Sequence, residues 1–161
     1  MGLFRAFEIS ASGLTAERLR QDIISNNLAN ANSTRATQGP DGKWQPYRRQ
    51  VAVFAERGSS FDQLLAAAGQ SDGFGGAANG LEQSTGDGVR VAGVWQDPTP
   101  FRSRYDPGNP DADANGYVQM PNVNPVTEMV DLITATRAYE ANVNAINATR
   151  SMALKALEIG R

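Results

Sequence analysis

The C-terminal part of the chain has the most regular spacing of hydrophobic positions. From residue 129 to residue 157, mostly apolar positions recur at intervals of three and four, as on the face of an α-helix that packs lengthwise along another. These positions are Met129, Leu132, Thr136, Tyr139, Val143, Ile146, Arg150, Ala153 and Leu157. Asn124 suits the N-cap, Pro125 the first helical position and Gly160 the end. We predict a single helix over 125–159, ~50 Å long.

A second amphipathic pattern occupies the N-terminal segment, roughly 3–30. It contains two overlapping apolar stripes, and a helix with two such flanks needs two neighbours to cover them. The stripes are Leu3, Phe7, Leu14, Ile24 and Leu28, and Ile9, Ala16, Leu19 and Ile23. We predict that the two terminal helices form an antiparallel, coiled-coil-like pair. Val126, Val130 and Ile133 are left over on the C-terminal helix, so copies of this protein or of homologous ones are the expected second neighbour.

Between the helices, short stretches alternate between apolar and polar residues, as in β-strands. They cover 47–54 and 88–95, and 101–105 and 117–120 are two further candidate short strands. Together they predict a small sheet or a pair of hairpins. Residues 59–69 resemble a short capped helix, and a flexible glycine-rich insert follows near 69–80. The predicted fold is therefore α+β, with an N-terminal helix and Asn-rich motif in 1–34, a β-rich middle region in 35–122 and a C-terminal helix in 123–161.

Three asparagines lie near the end of the first helical pattern. Heptad steps from Leu19 and Ile23 lead to Asn26 and Asn30, and Asn27 follows Ile23 one turn later. An asparagine in a packed helix face reduces stability but fixes register and partner choice. We therefore predict that these amides belong to the packed face. The alternative is a polar helix end.

Composition excludes several functional classes. The chain has 15 basic and 17 acidic residues, a net charge of −2, which argues against nucleic acid or an anionic membrane as a partner. It has no cysteine and no histidine, the usual zinc ligands and the commonest general base. The start of the chain does not have the pattern of a cleavable secretory signal, and no long apolar span is present.

Four features resemble binding or catalytic motifs but have simpler explanations. Asp111, Asp113, Asn115 and Gly116 match the first half of an EF-hand calcium loop, but its last ligand, a glutamate, is replaced by Asn122, so a solvated turn is favoured. The glycines of 73–80 lack the spacing of a nucleotide-binding loop.

The other two features are charged groups. Glu128 and Asp131 could form an acid/base pair, but acidic residues are ordinary in a first helical turn. A basic and aromatic cluster, Trp44, Tyr47, Arg48 and Arg49, is interpreted as the solvent face of a strand rather than a single-strand-binding surface. We predict no catalytic residue, cofactor, metal or small-molecule substrate.

The sequence resembles a known family over nearly its whole length. Residues 121–160, "PNVNPVTEMVDLITATRAYEANVNAINATRSMALKALEIG", are similar to the C-terminal signature of bacterial flagellar basal-body rod proteins of the proximal rod protein C family. The segment "ISASGLTAERLRQDIISNNLANANST" is similar to the N-terminal motif of flagellar rod and hook proteins. The middle agrees in order and spacing, apart from about 56–84.

The resemblance implies a structural subunit without enzymatic activity, exported by the flagellar type III apparatus without signal cleavage. It implies assembly into the periplasm-spanning rod, the drive shaft between motor and hook, with other rod proteins and the adapter at the rod base. The alternative is a soluble coiled-coil adapter or effector that uses the same export route. From the stripes, we predict these assembly residues: Leu14, Leu19, Ile23, Asn26, Asn27, Asn30, Met129, Leu132, Tyr139, Val143, Ile146 and Leu157.

Overall fold

The computed structural model describes residues 3–39, 42–57 and 88–159. Long helices begin and end this part of the chain: α1 covers Leu3–Ala29 and α2 covers Pro125–Ile159. Six strands lie between them, namely β1 (Thr37–Gln38), β2 (Trp44–Gln45), β3 (Gln50–Glu56), β4 (Val89–Gln96), β5 (Arg102–Tyr105) and β6 (Tyr117–Met120). The prediction of an α+β fold with two terminal helices is confirmed. The predicted short helix at 59–69 and the glycine-rich insert lie outside the described residues.

The start of α2 is set by its capping residue. The backbone N–H of Val126 donates to the side-chain Oδ1 of Asn124 at 3.1 Å, and the N–H of Glu128 donates to the Asn124 carbonyl at 3.0 Å. These bonds satisfy amide groups that have no partner within the helix. The predicted N-cap and helix bounds are confirmed.

The two helices contact each other and run antiparallel. Near one end Asn27 is bonded to Glu128, and fourteen residues earlier on α1 the side chain of Asn142 lies against Gly13. In both contacts the two residue numbers add to 155. Residue numbers therefore increase along α1 in the direction in which they decrease along α2, as in an antiparallel pair. The facing side chains are small where packing is closest, as at the buried Ala16 and Ala135.

The inward face of α2 differs from the predicted nine-residue stripe by one residue at four positions. Glu128, Ala135 and Thr149 are buried at intervals of seven, and Asn142 is half-buried between them. Of the predicted positions one residue later, Met129, Thr136, Arg150 and Leu157 are exposed within this chain, and Val143 is half-buried. The remaining residues of the stripe, Leu132, Tyr139, Ile146 and Ala153, are half-buried as expected. The polar and small residues thus face α1 more directly than the bulky ones do.

The described strands form three separate antiparallel pairs. Strand β3 pairs with β4 from Gln50 opposite Gln96 to Glu56 opposite Val89, with an irregularity after Val53. Strand β5 pairs with β6, with Arg102 opposite Met120. These four strands confirm the predicted ones. The β1–β2 hairpin was not predicted, since its strands have only two residues each and no alternation to detect.

The buried apolar side chains lie where α1, α2 and the segment around β6 meet. They are Ala16, Ile23, Ile24, Ala31, Val118, Val123 and Ala135. Most are small or medium in size, so the described core is thin. None of the described helices has the length and apolar character needed to cross a membrane.

Candidate functional site

A buried polar cluster joins α1, β3 and α2; we call it the junction and define it as Asn27, Tyr47, Arg49, Asn122 and Glu128. Asn27 is 1% exposed although it lies on a helix. Its Nδ2 donates to the backbone carbonyl of Gln50 at 2.8 Å, and its Oδ1 accepts from the backbone N–H of Gln50 at 2.9 Å. The side-chain amide therefore pairs with the start of β3 as a neighbouring strand would.

Glu128 is fully buried and is the anionic centre of the junction. Its Oε1 accepts from Nε of Arg49 at 2.6 Å, and its Oε2 accepts from Nδ2 of Asn27 at 3.0 Å. Arg49 also lies 3.5 Å from Asp97 and 3.4 Å from Asp131. A buried carboxylate is tolerated only when it is paired and hydrogen-bonded. Here Asn27 of α1 and Arg49, which directly precedes β3, supply those partners.

Burial and charge within the junction shift the pKa values of two of its members. Burial raises the pKa of the Tyr47 phenol, and the nearby charge of Glu128 raises it further. Partial burial alone would lower the pKa of Arg49, but the hydrogen bonds and charges of Glu128 and Asp97 together outweigh it, so the net shift is upward. The two shifts favour the neutral form of Tyr47 and the charged form of Arg49.

Asn122 completes the junction from the segment before α2. Its Oδ1 accepts from the backbone N–H of Arg49 at 2.8 Å, and its Nδ2 donates to Oγ1 of Thr99 at 2.9 Å. Tyr47 donates its hydroxyl proton to Oδ1 of Asn27 at 2.9 Å. Both oxygens of Glu128 and both polar atoms of the Asn27 amide are bound by protein groups, so the arrangement suits positioning of elements rather than chemistry.

The structure corrects two interpretations of single residues. Arg49 does not lie on a solvent face, because its guanidinium points to Glu128 and is 25% exposed. Glu128 belongs to an interior ion pair rather than serving only as a dipole partner at the helix start. Sequence alone gave no signal for this pair, since 79 residues separate its members.

The three predicted asparagines have different roles within the chain. Asn27 lies in the packed interior, as expected. Asn30 instead bonds back to the carbonyl and the side chain of Asn26, at 3.0 and 2.9 Å, and accepts from Ser33 at 3.1 Å. Asn26 and Asn30 therefore form a polar helix end, which is the simpler of the two alternatives.

The predicted assembly residues differ in how much of each is exposed within one chain. Ile23 is buried; Leu14, Leu132, Tyr139, Val143 and Ile146 are half-buried; Leu19, Met129 and Leu157 are 37%, 46% and 74% exposed. The half-buried residues contribute to the fold of the single chain. The exposed ones have much of their side chain uncovered within the described chain.

A separate exposed apolar surface covers the first turns of α2. Val126, Val130 and Ile133 are 65%, 58% and 62% exposed and lie on the face away from α1; we call them the outer stripe. Further along the same face the residues are polar, as at Arg137 and Glu140, which form an exposed ion pair at 3.2 Å. The outer stripe is therefore an exposed apolar part of a face that is otherwise polar.

The loop that resembles half of an EF-hand uses its carboxylates to hold the chain. Asp111 accepts from Nε of Arg35 at 2.7 Å and from Thr34 at 2.9 Å. The hydrogen bond to Arg35 is the main reason that the pKa of Asp111 lies below its ordinary value. Asp113 accepts from the backbone N–H groups of Asn115 and Tyr117. Within the described ranges, no three metal-ligating side chains are grouped as an ion would need.

Comparison with known proteins connects both helices to one family. The profile of the family described as "Flagella basal body rod protein" matches residues 7–37, and that of "Flagellar basal body rod FlgEFG protein C-terminal" matches residues 114–159. The chain is 48% identical over 161 residues to the flagellar basal-body rod protein FlgC of Bacillus subtilis, covering 100% of both chains.

Two further relatives match nearly the whole chain or all of it. The flagellar basal-body rod protein FlgC of Borreliella burgdorferi is 44% identical over 170 residues, which cover 99% of this chain and 98% of the relative. That of Salmonella typhimurium is 42% identical over 161 residues, covering 100% of both chains. This chain belongs to the family of flagellar basal-body rod proteins. It is a structural rod protein rather than an enzyme, as the sequence resemblance implied.

The two segments matched by the rod-family profiles meet at the junction. Asn27 lies in the first segment, and Asn122 and Glu128 lie in the second. Arg49, which binds Glu128, comes from the region between them. In this rod protein the junction therefore fixes the middle region against the paired terminal helices.

Proposed function

We propose that this rod protein assembles with copies of itself, with other rod proteins and with the adapter at the rod base through its terminal helices. The observation that supports this most directly is the outer stripe, three large apolar side chains that the fold of one chain leaves more than half exposed. The outer stripe and Glu128 of the junction both lie in the first turns of α2. The junction would therefore hold the outer stripe in a fixed orientation relative to α1 in the predicted coiled-coil-like pair.

The proposed role in the cell is to carry torque from the motor to the hook as part of the proximal rod. A shaft needs subunits whose long elements do not slide past one another. The ion pair of Arg49 with Glu128 and the strand-like pairing of Asn27 with Gln50 resist such sliding within a subunit. Through the adjacent residues 49 and 50, the two contacts together tie α1 to α2, and the direct bond from Asn27 to Glu128 joins the same two helices.

We also propose that the chain passes through the flagellar type III apparatus without signal cleavage and reaches the periplasm-spanning rod. Passage in an unfolded state is favoured by a weakly stable monomer. The thin described core, made largely of small side chains, supports this because burying little apolar surface contributes little stability. Contacts in the assembled rod would then supply the missing stabilisation.

The assembly role is tested by placing a charge on the outer stripe. Ile133→Asp is expected to leave the monomer folded, within about 0.5 kcal/mol, because the side chain is already exposed. It is expected to abolish motility and rod assembly when it replaces the native protein, since an unpaired carboxylate would be buried between subunits. Asn144→Asp, on the polar part of the same face, is the matched control and is expected to remain motile. Normal rods with Ile133→Asp would refute the proposed surface.

A further inference from the structure

An apolar groove runs between α1 and the start of β4; we call it the side groove. Its α1 wall is formed by Ser12, Thr15, Ala16 and Leu19, and its β4 wall by Val89 and Val91. Its volume is about 480 Å³. Leu19, one of the predicted assembly residues, is 37% exposed within it.

The two walls of the side groove are fixed relative to each other. The Oγ of Ser12 accepts from the backbone N–H of Val89 at 3.1 Å and donates to the carbonyl of Ile9 at 2.6 Å. Gly88, directly before β4, has φ of 106°, a conformation that side chains rarely adopt, and a Cβ there would collide with Ser12. The groove is therefore a formed surface rather than a gap between loosely held elements.

The rim of the side groove is positively charged. Arg57 and Arg90 line it and are exposed. Across residues 3–39, 42–57 and 88–159, no carboxylate pairs with either guanidinium. An occupant that matches this site carries apolar side chains beside an acidic one.

The free end of α2 has that composition. From the antiparallel register, Leu3 at the start of α1 lies opposite Met152, so the last turns of α2 extend beyond α1 as an overhang. Leu154 and Leu157 are 53% and 74% exposed there. Leu154, Leu157 and Glu158 are spaced by three and four residues and therefore share one helix face.

We propose that the overhang of α2 in one copy of this chain docks in the side groove of a second copy, as one contact of the assembly proposed above. Leu154 and Leu157 fill the groove, and Glu158 pairs with Arg57 and Arg90. The surfaces are different parts of the molecule, so the contact is head-to-tail and leads to an open helical assembly rather than a closed dimer. The groove lies opposite 136–143 of α2, so successive copies are offset by ~24 Å along the helices.

Disulfide cross-linking tests this contact, because the chain contains no cysteine of its own. A Leu19→Cys/Leu157→Cys double variant replaces the native protein in cells, and basal bodies are oxidised and analysed for covalent dimers. A bond within one copy is excluded, since the two positions are ~30 Å apart along the helices and a disulfide needs Cα atoms within ~7 Å. We expect dimers from this variant and none from the control Leu19→Cys/Asn144→Cys. Val91→Cys/Leu154→Cys provides a second pair if Leu19→Cys impairs assembly.

Exchanging the charges of Arg57, Arg90 and Glu158 tests the proposed ion pairs at the rim of the side groove. Arg57→Glu with Arg90→Glu is expected to abolish the dimers formed by the Leu19→Cys/Leu157→Cys variant, and adding Glu158→Arg is expected to restore them. Dimers that persist with both arginines replaced, or that Glu158→Arg does not restore, would refute the assigned pairing.

Motility of the same strains separates this contact from the rod function on which it depends. Motile cells that yield no dimer with either cysteine pair would overturn the groove contact and leave the rod function intact. A disulfide within one chain between Leu19→Cys and Leu64→Cys would show that another part of the same chain fills the groove, and would also overturn it. Loss of rods in Ile133→Asp is a separate result, since that residue is not part of this contact.

Discussion

Replacing Arg49 by methionine is expected to destabilise the monomer by about 3 kcal/mol. The substitution removes the cationic partner of Glu128, whose side chain is 1% exposed, and leaves its carboxylate with one hydrogen bond, from Asn27. Breaking a buried ion pair from one side costs ~3–5 kcal/mol. Because Arg49 is 25% exposed, water can partly replace it, which places the expected loss near the lower end of that range.

The neighbouring arginine is the matched control. Arg48 lies 4.5 Å from the centre of the Phe101 ring and donates to the carbonyl of Asp97. Its replacement by methionine keeps similar bulk and is expected to cost about 1 kcal/mol, as for a partly exposed cation–π contact and one hydrogen bond. Urea unfolding of the monomer, followed by far-ultraviolet circular dichroism, measures both losses.

The double variant Arg49→Met/Glu128→Gln tests the cause. If the loss comes from an unpaired buried carboxylate, making residue 128 neutral in the Arg49→Met protein is expected to recover ~1–2 kcal/mol. Glu128→Gln is expected to destabilise the native protein, since it removes the partner of Arg49. The reasoning would be refuted if Arg49→Met cost no more than Arg48→Met, or if Glu128→Gln lowered stability equally in both backgrounds.

Two further predictions concern the helix pair and the loop before β6. Gly13→Ala is expected to destabilise the monomer by about 1 kcal/mol, although alanine has the better helix propensity, because the new Cβ would lie 3.0 Å from the Asn142 amide. Adding Asn142→Ala is expected to restore the free energy of unfolding measured in urea. The pKa of Asp111, measured by NMR titration, is expected below its ordinary value of 3.8 and to return towards it in Arg35→Met. Because the pKa of Asp111 is lower in the folded than in the unfolded state, its ionised carboxylate stabilises the folded protein at pH values above the unfolded-state pKa. This contribution is lost as the pH falls through the folded-state pKa.

Local signals in the sequence were sufficient to predict the helices and most strands. Asn124 and Pro125 set the start of α2 because capping depends on neighbouring residues only, and the observed bounds agree. Strands β3 and β4 were predicted from their alternation of apolar and polar residues, and β5 and β6 as two further short strands. The two-residue strands β1 and β2 are held by pairing with each other, which no local pattern records.

The predicted inward face of α2 lay one residue away from the observed one at several positions, because the prediction favoured bulky apolar residues. Positions 129, 136, 143, 150 and 157 and positions 128, 135, 142 and 149 have the same seven-residue spacing, so periodicity alone cannot choose between them. The second set contains Glu, Ala, Asn and Thr. Glu128 can be inside only because Arg49, which directly precedes β3, reaches it, and Asn142 only because Gly13 leaves space beside it. Both conditions come from residues far away in sequence.

The displaced face also explains how one helix pair can serve both folding and assembly. The small and polar residues that face α1, such as Ala135, bury little surface but bring the helices close and fix their register. The large apolar side chains of α2, among them Ile133 and Leu157, are thereby left outside, at 62% and 74% exposure. Substitutions on the inner face should therefore change monomer stability, whereas substitutions at the exposed positions should change assembly while the monomer keeps its fold. A chain that buried its bulky residues inside would have a more stable monomer but no apolar surface to offer to the next subunit.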